Sequence, residues 1–251
     1  MKRLFLMLTA CGVLSAEPPV VLEISSARQV LALEGITRHV QGIDTDGDRL
    51  WVTAVDRPTA KGFLYEYSLR DGRRLRSIEV QQGDRYHPGG IAADETSIWI
   101  PIAEYKASSS ATIQRRNKKT LEVEFEFSVP DHIGCVAITP EFIIGGNWDS
   151  RDFYVWDHQG KLIRRVASMT GNSYQDIKVR GGKIAASGTI PGASGAVDWL
   201  DLATANLQGR TFVGSTSRGV SLAREGMTIF EGQVLFLPED DDSRLFFVPL
   251  P

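Results

Sequence analysis

Short apolar runs that end at a polar residue recur along the chain at a nearly constant interval. They begin at Leu50, Ile98, Phe142, Ile184 and Val234, which are 48, 44, 42 and 50 residues apart. A turn-forming dipeptide such as Asp46-Gly47 precedes each run, and another apolar strand follows it. A period of roughly 40–50 residues with about four short strands per unit is typical of a β-propeller blade. The pattern therefore predicts an all-β fold, a five-bladed β-propeller.

The two ends of the chain carry complementary pieces of this pattern. The last unit has no fourth strand after Val248, and the strand-like segment Val20–Leu33 precedes the first complete unit. We predict that this segment supplies the outer strand of the last blade, which closes the ring and removes two exposed sheet edges. If the segment instead belongs to a further, degenerate unit, the propeller has six blades.

The N-terminus has the features of an export signal. Lys2-Arg3 is a short basic region, Leu4–Leu14 is apolar, and the small residues Ser15-Ala16 follow. Residues 1–16 are therefore predicted to be a signal peptide and residues 17–251 a single propeller domain, which is periplasmic or extracellular. Leu8-Thr9-Ala10-Cys11 resembles a bacterial lipobox, so lipid anchoring through Cys11 is the alternative. The apolar run is too short to serve as a transmembrane anchor.

Composition excludes some classes of partner and site. Apolar residues make up 42% of the chain, charged residues 24%, and the formal net charge is −3. No basic stripe is present, so nucleic acid is not an expected partner. Removal of the signal peptide, or lipidation of Cys11, leaves Cys135 as the one ordinary thiol, which excludes a zinc site built from cysteines. Cys135 lies in an apolar strand. We expect a monomer that binds a small-molecule ligand.

Polar side chains recur where the inner strands and the loops after the second strands reach one face of the predicted ring. The first strand of each blade lines the central channel, so its entry end and these loops form one mouth. The inner set consists of Gln41, His87, Asp131, His132, Gln175, Asp176 and Glu225. The outer set consists of Asp56, Glu104, Asn147, Asp149 and Glu239. Because nearly every blade contributes to both sets, we predict a ligand site at this mouth.

Three of these residues are candidates for catalysis. A carboxylate at the rim of a narrow channel is partly desolvated, which raises its pKa and suits Glu225 to acid–base chemistry. The alternative is a structural ion pair with Arg218 or Arg224. His87 and His132 occupy equivalent positions of adjacent blades, which fits proton transfer or metal ligation. Each histidine alone is more often a hydrogen-bonded tether for the preceding loop.

Further side chains are candidates for ligand contacts. Arg218 lies in the long link into the last blade, and an arginine suits carboxylate recognition. Tyr105 and Trp148 follow the outer set and are predicted to form the walls of a pocket. The other tryptophans are predicted to fill the packing between blades. The metal content is undetermined, with calcium as a candidate ion.

Several short segments of the sequence resemble segments of known protein families. Between Val40 and Val248 the chain resembles a family of exported bacterial propeller proteins of unknown function. The strings that carry this resemblance are His87-Pro88-Gly89-Gly90-Ile91, Asp131-His132-Ile133-Gly134, Asn147-Trp148-Asp149-Ser150-Arg151, Tyr174-Gln175-Asp176-Ile177 and Arg224-Glu225-Gly226-Met227. This resemblance implies a propeller and brings no activity with it.

Two fainter resemblances imply activities. Val40-Gln41-Gly42-Ile43 is similar to a blade start of plant-type glutaminyl cyclases, which are five-bladed and carry a glutamate where Asp44 stands here. Glu225-Gly226-Met227 is similar to blade starts of cyclases, gluconolactonases and strictosidine-synthase-like hydrolases. The lactonase resemblance implies a calcium set of Glu225, Asn147 and either Asp176 or Asp198.

Two classes of function remain open at this point. The first is an extracytoplasmic binding or scaffold module without catalysis. The second is an enzyme, either a lactonase-like hydrolase or a glutamine cyclotransferase, that uses Glu225 or a histidine at the channel mouth. Converging oxygen ligands would favour a calcium enzyme, and a mouth filled by internal ion pairs would favour the scaffold.

Overall fold

Five antiparallel sheets follow one another along the chain in a computed structural model that describes residues 21–250. The first sheet contains β3 (His39–Thr45), β4 (Arg49–Asp56), β5 (Lys61–Ser68) and β6 (Arg74–Glu79). The second contains β7 (His87–Pro88), β8 (Ala92–Ala93), β9 (Ser97–Ala103), β10 (Ala111–Asn117) and β11 (Val123–Val129). The third contains β12 (Ile133–Ile138), β13 (Ile143–Asn147), β14 (Asp152–Trp156) and β15 (Leu162–Ala167).

The remaining sheets each combine late strands with a short strand from the N-terminal segment. The fourth contains β16 (Ser173–Arg180), β17 (Lys183–Thr189), β18 (Gly195–Asp201), β19 (Leu207–Val213) and β1 (Val21–Leu22). The fifth contains β20 (Gly226–Phe230), β21 (Gln233–Leu237), β22 (Arg244–Pro249) and β2 (Gln29–Ala32). The five-bladed β-propeller is confirmed, and residues 21–250 form no sixth sheet. The predicted signal peptide lies outside the described residues.

The N-terminal segment contacts two blades. Strand β2 pairs antiparallel with β22, with Gln29 opposite Phe247, while β1 pairs in parallel with β19, with Val21 opposite Phe212. A three-residue 3-10 helix, Ile24–Ser26, separates the two strands. The only other helix in residues 21–250, Leu222–Arg224, is equally short, so none of the described helices is long enough to cross a membrane.

Apolar side chains fill the spaces between neighbouring blades. Each of the five hydrophobic clusters joins two adjacent sheets. Trp51 lies between the first and second blades, whereas Trp99 and Trp156 lie between the second and third. Each sheet thus buries both of its faces, which explains why second strands such as β9 and β21 read as nearly continuous apolar runs.

The centre of the channel is narrow because inner strands approach each other through glycines. A Cβ atom on Gly42 would lie 2.4 Å from the Cα atom of Gly90, which no side chain can occupy. The inner strand of the second blade is interrupted at this point, between β7 and β8, and the Gly90 amide donates to the Gly134 carbonyl of the third blade. Cys135 is buried beside it, and burial raises the pKa of this thiol to about 12, which makes it inert as a nucleophile.

A buried ion pair closes the channel below the mouth. Asp176 is fully buried, and its carboxylate accepts hydrogen bonds from the amides of Ile43 (2.9 Å), Met227 (3.1 Å) and its neighbour Ile177 (3.0 Å). The Lys178 Nζ atom lies 2.5 Å from Asp176 Oδ1 and donates to the Ile91 carbonyl at 2.8 Å. Burial raises the pKa of Asp176 to about 7, and Lys178 opposes this shift. Together the two side chains link the first, second, fourth and fifth blades.

Candidate functional site

A cavity of about 470 Å³ opens at the end of the channel where the inner strands begin. Five residues of the predicted inner set line it: Gln41, His87, His132, Gln175 and Glu225. A second, smaller cavity of about 190 Å³ is lined by Asp44 and Lys178 at the other ends of β3 and β16. The Asp176–Lys178 pair lies between the two cavities. The larger cavity is therefore open at the channel mouth and closed at its inner end.

The fixed register of the repeats explains why these five side chains meet. Each stands just before an inner strand or within its first three residues, and the strands of all blades enter the channel from the same face. Glu225 directly precedes β20, at a place where the chain passes close to the first blade. A Cβ atom on the next residue, Gly226, would lie 2.7 Å from Cγ2 of Ile43. A glycine there allows Glu225 to approach the channel axis.

Two other residues of the predicted inner set do not line the cavity. Asp176 lies one residue beyond Gln175, and a register irregularity between Tyr174 and Asp176 turns its carboxylate into the channel centre. Asp131 faces its own blade, where it accepts hydrogen bonds from Tyr154 Oη (2.7 Å) and its neighbour's amide (2.8 Å). Both carboxylates serve the fold in these positions.

Three members of the predicted outer set are held by local partners at the rim. Glu104 pairs with Lys106 at 2.5 Å, and Asp149 pairs with Arg151 at 2.6 Å. Asn147 accepts a hydrogen bond from the amide of Asp152. These residues are absent from the lining of the cavity. Their loops contain the partner residues, so the polar strand ends are satisfied without a ligand.

Arg218 also lies away from the cavity. Its guanidinium is 2.5 Å from Asp242 and donates to the Asp240 carbonyl at 2.5 Å. These contacts connect the link before the last blade to the acidic loop after β21. Arg218 thus contacts the last blade and does not line the cavity.

Gln41 fixes the protonation of His87 through a chain of hydrogen bonds. The Gln41 Nε2 group donates to its neighbouring carbonyl, Val40, at 2.9 Å, which turns Oε1 towards His87. His87 Nε2 lies 2.7 Å from that Oε1 atom, so Nε2 carries the proton. Burial and the nearby His132 and His39 hold the pKa of His87 well below its ordinary value. His87 is thus a neutral imidazole, and its Nδ1 is a buried acceptor without a hydrogen-bond partner.

Aromatic side chains form one wall of the cavity. The His87 and Tyr105 rings meet edge to face with centroids 4.4 Å apart, and His132 meets Trp148 in the same way at 4.5 Å. His132 also tethers the loop after β9, because its Nδ1 lies 2.9 Å from the Lys106 carbonyl. Trp148 stays 40% exposed at the rim. Tyr105 and Trp148 lie where a pocket wall is predicted.

Glu225 is the buried carboxyl group of the cavity. Its side chain is 5% exposed, and Oε2 is buried without a hydrogen-bond partner. The nearest cation is exposed, with Arg224 Nε 3.7 Å from Oε1. Burial, reinforced by the charge of Glu239, raises the pKa of the Glu225 carboxyl well above its ordinary value. The shift favours the protonated form of this carboxyl group.

His39 and Arg57 complete the site next to Glu225. Arg57 Nη2 lies 2.5 Å from His39 Nε2, and an arginine can only donate, so Nε2 accepts and Nδ1 carries the proton. His39 Nδ1 is 3.1 Å from Glu239 Oε1 and 3.9 Å from Glu225 Oε1, although neither contact is aligned as a hydrogen bond. The histidine thus directs an N–H group at the two carboxyl groups.

The site fits calcium poorly. In the implied set, Asp176 is held by Lys178 and backbone amides, and Asp198 is held by Arg210 at 2.6 Å and by Tyr174 at 2.6 Å. Among residues 21–250, His39, Glu225 and Glu239 are the group whose ligand atoms converge, within 4.8 Å of one another. Calcium prefers oxygen ligands, and the proton on His39 Nδ1 opposes ligation of any metal by this nitrogen.

Two features of the cavity were not predicted from the sequence. His39 precedes Gln41 by two residues on β3, and strand alternation alone would have placed both on one side. Arg57 lies in the loop after β4, next to Asp56 of the predicted outer set, and no pattern in the sequence distinguishes it from other loop arginines.

Comparisons with known proteins support the fold. Residues 62–181 match the profile of a family of unknown function, DUF6454, so the resemblance to a family of unknown function is confirmed for that part of the chain. No curated protein matches the sequence. The structure is similar to Myxococcus xanthus glutaminyl cyclase, with a TM-score of 0.68, 14% identity, and coverage of 92% of this chain and 97% of the cyclase. At this identity the likeness is one of fold.

Two further solved structures have lower TM-scores. The computationally designed Ika8 protein has a TM-score of 0.46 and 12% identity, with 88% of this chain and 74% of the designed chain covered. The Neurospora crassa Pan2 WD40 domain has a TM-score of 0.45 and 13% identity, with 84% of this chain and 66% of that chain covered. Scores at this level carry no information on a shared site.

Proposed function

We propose that this chain is an exported enzyme that binds a small polar molecule in the cavity at the channel mouth and acts on it by acid–base chemistry. Glu225 is the proton donor and His87 Nδ1 the proton acceptor. The proposal rests on one observation: both groups line the cavity, and each has a buried polar atom that finds no hydrogen-bond partner within residues 21–250.

Unpartnered buried atoms are unusual in a folded protein. Leaving such a group unsatisfied costs about 1–3 kcal/mol, and a ligand in the cavity would remove this cost for Glu225 Oε2 and His87 Nδ1. The volume of about 470 Å³ falls within the range of small-molecule sites. A scaffold would fill its channel mouth with internal pairs, whereas here the Asp176–Lys178 pair lies deeper and leaves the cavity open.

The arrangement suits reactions in which a nucleophile loses a proton and a leaving group gains one. His87 Nδ1 would take the proton of the attacking water or amine, and Glu225 would give its proton to the departing oxygen or nitrogen. In both the opening of a lactone by water and the cyclisation of an N-terminal glutamine with release of ammonia, the nucleophile loses one proton and the leaving group gains one. Tyr105 and Trp148 would hold the apolar part of the substrate.

Glutamine cyclisation is the case to test first. The whole-chain likeness to Myxococcus xanthus glutaminyl cyclase favours it, as does Gln41 of the string Val40-Gln41-Gly42-Ile43, which lines the cavity. Asp44, which stands where that family carries a glutamate, lines the opposite cavity, so Glu225 is the carboxyl group that this cavity offers. In this chain Glu225 therefore takes the acid role.

Turnover by variants tests the assignment. Glutaminyl peptides, lactones and sugars are screened by thermal shift, and ammonia release or ring opening is then followed for each ligand found. Glu225→Gln keeps the shape but cannot donate a proton, so kcat should fall about 10²–10⁴-fold. Glu104→Gln, which removes a rim carboxylate outside the cavity, should keep full activity. Wild-type activity in folded Glu225→Gln, or the absence of turnover for every ligand of the wild type, would contradict the proposal.

The stability of the protein should depend on pH because of the proton on Glu225. The folded-state pKa of Glu225 lies above its ordinary value of 4.5, so the folded chain holds a proton that the unfolded chain releases. The free energy of unfolding should then fall as pH rises from about 4.5 through the folded-state pKa, by up to about 1.4 kcal/mol per pH unit. Urea unfolding should show this fall in the wild type and its loss in Glu225→Gln. A Glu225→Gln variant that tracks the wild type at every pH would show that Glu225 carries no raised pKa.

A further inference from the structure

We infer that the ligand of this cavity carries a carboxylate and that Arg57 binds it. The inference rests on the proposed function and adds the substrate class. Arg57 lines the cavity from the loop between β4 and β5, on the side of Glu225 and His39. It is one of two arginines in the lining, the other being Arg224.

Arg57 has no carboxylate partner within 4.0 Å among the described residues. The adjacent carboxylate, Asp56, is engaged by Arg38 at 3.0 Å. Glu239 is the ionised carboxylate of the site. Its oxygens lie 3.4 Å from Arg224 Nη2 and 3.1 Å from His39 Nδ1. Asp56 and Glu239 are therefore already paired, and burial favours the neutral form of Glu225, so the charge of Arg57 is left for a ligand.

The guanidinium is held in place, and some of its N–H donors remain available to a ligand. Its Nη2 atom donates to His39 Nε2, and its Cζ atom lies 5.4 Å from the centroid of the Tyr105 ring. His39 takes one of the two Nη2 hydrogens, and the other Nη2 hydrogen forms an edge of the fork with either Nε or Nη1, beside the Tyr105 hydroxyl with which the guanidinium also interacts. Such an edge binds a carboxylate through two parallel hydrogen bonds.

The charges around the cavity favour an anion over a cation. His87 is neutral, Arg224 offsets Glu239, and Arg57 remains as the uncompensated charge of the lining. The aromatic wall of Tyr105 and Trp148 lies beside this charge, since Tyr105 contacts both Arg57 and Trp148. A small carboxylic acid with an apolar or aromatic portion matches both features.

Matched acid and amide pairs test this inference. The probes are 3-phenylpropionate with 3-phenylpropanamide, and glutaminyl-phenylalanine with its C-terminal amide. Calorimetry at low ionic strength should give at least about tenfold tighter binding of each acid, as expected for a charged hydrogen-bonded pair. The acid preference should weaken as salt is added.

Variants locate the effect. Arg57→Gln should remove the acid preference, and Arg57→Lys should retain part of it because the charge stays while the fork is lost. Arg218→Gln removes an arginine that pairs with Asp242 outside the cavity and should keep the preference unchanged. Equal binding of acid and amide by the wild type, no binding of either acid, or a preference that survives in Arg57→Gln would overturn the inference. Turnover of a neutral lactone or sugar that depends on Glu225 would overturn the carboxylate while leaving the proposed function standing.

Discussion

Replacement of Asp176 by alanine is expected to lower the free energy of unfolding by about 3–5 kcal/mol. The substitution leaves the Lys178 ammonium buried without its counter-charge and removes the acceptor for the amides of Ile43, Ile177 and Met227. These donors come from three blades, so the loss acts on the centre of the ring.

The measurement is urea unfolding at pH 8, above the pKa of about 7 that burial gives Asp176. Asp152→Ala is the matched control, because it removes an ion pair with Arg165 whose arginine side chain is 55% exposed. Exposed pairs contribute about 0–1 kcal/mol. A double-mutant cycle with Asp176→Ala, Lys178→Met and the double variant should give a large coupling energy. The reason is that Lys178→Met removes the charge that Asp176→Ala leaves unpaired. A loss below about 1 kcal/mol for Asp176→Ala would show that the pair does not hold the blades together.

Removal of residues 1–33 is expected to prevent stable folding. The truncation deletes β1 and β2, exposes the edges of β19 and β22, and removes the buried side chains of Leu22 and Leu33. Each leucine contributes about 1.5–3 kcal/mol, and exposed edges promote aggregation. Backbone hydrogen bonds such as that from the Leu33 amide to the Ser243 carbonyl are lost as well.

A chain that starts at Glu17 provides the control, because it keeps both strands. Solubility, circular dichroism and thermal unfolding of the two chains are compared directly. Leu33→Ala gives a graded version of the same test, with an expected loss of about 2–5 kcal/mol. Unchanged thermal stability of the truncated chain would contradict a role of the N-terminal segment in closing the ring.

The blades could be predicted from the sequence because their signals are local. The apolar run from Leu50 and the turn at Asp46-Gly47 predict a hairpin, and β4 spans Arg49–Asp56 as expected. The repeat then fixes which strand ends share a face, so Gln41, His87 and Glu225 could be placed at one mouth. The N-terminal segment was harder, since one predicted strand became β1 and β2 on two blades.

The site could be predicted only in part because side-chain direction and pairing depend on tertiary contacts. A register irregularity directs Asp176 into the channel centre, although Gln175 beside it lines the cavity. Glu104 and Asp149 stand at the predicted rim but pair with a lysine and an arginine two residues away. The tautomers of His87 and His39, which decide the chemistry of the cavity, depend on Gln41 and Arg57 across the fold.

The protonation of Glu225 in the folded protein is the most direct test of the proposed chemistry. An infrared difference spectrum between wild type and Glu225→Gln at pH 7 isolates this one carboxyl group. We expect the carbonyl band of a protonated carboxylic acid in the wild type, its loss in Glu225→Gln, and its retention in Glu239→Gln, because burial is the main cause of the raised pKa. A spectrum in which Glu225 contributes only carboxylate bands at pH 7 would contradict its role as the proton donor.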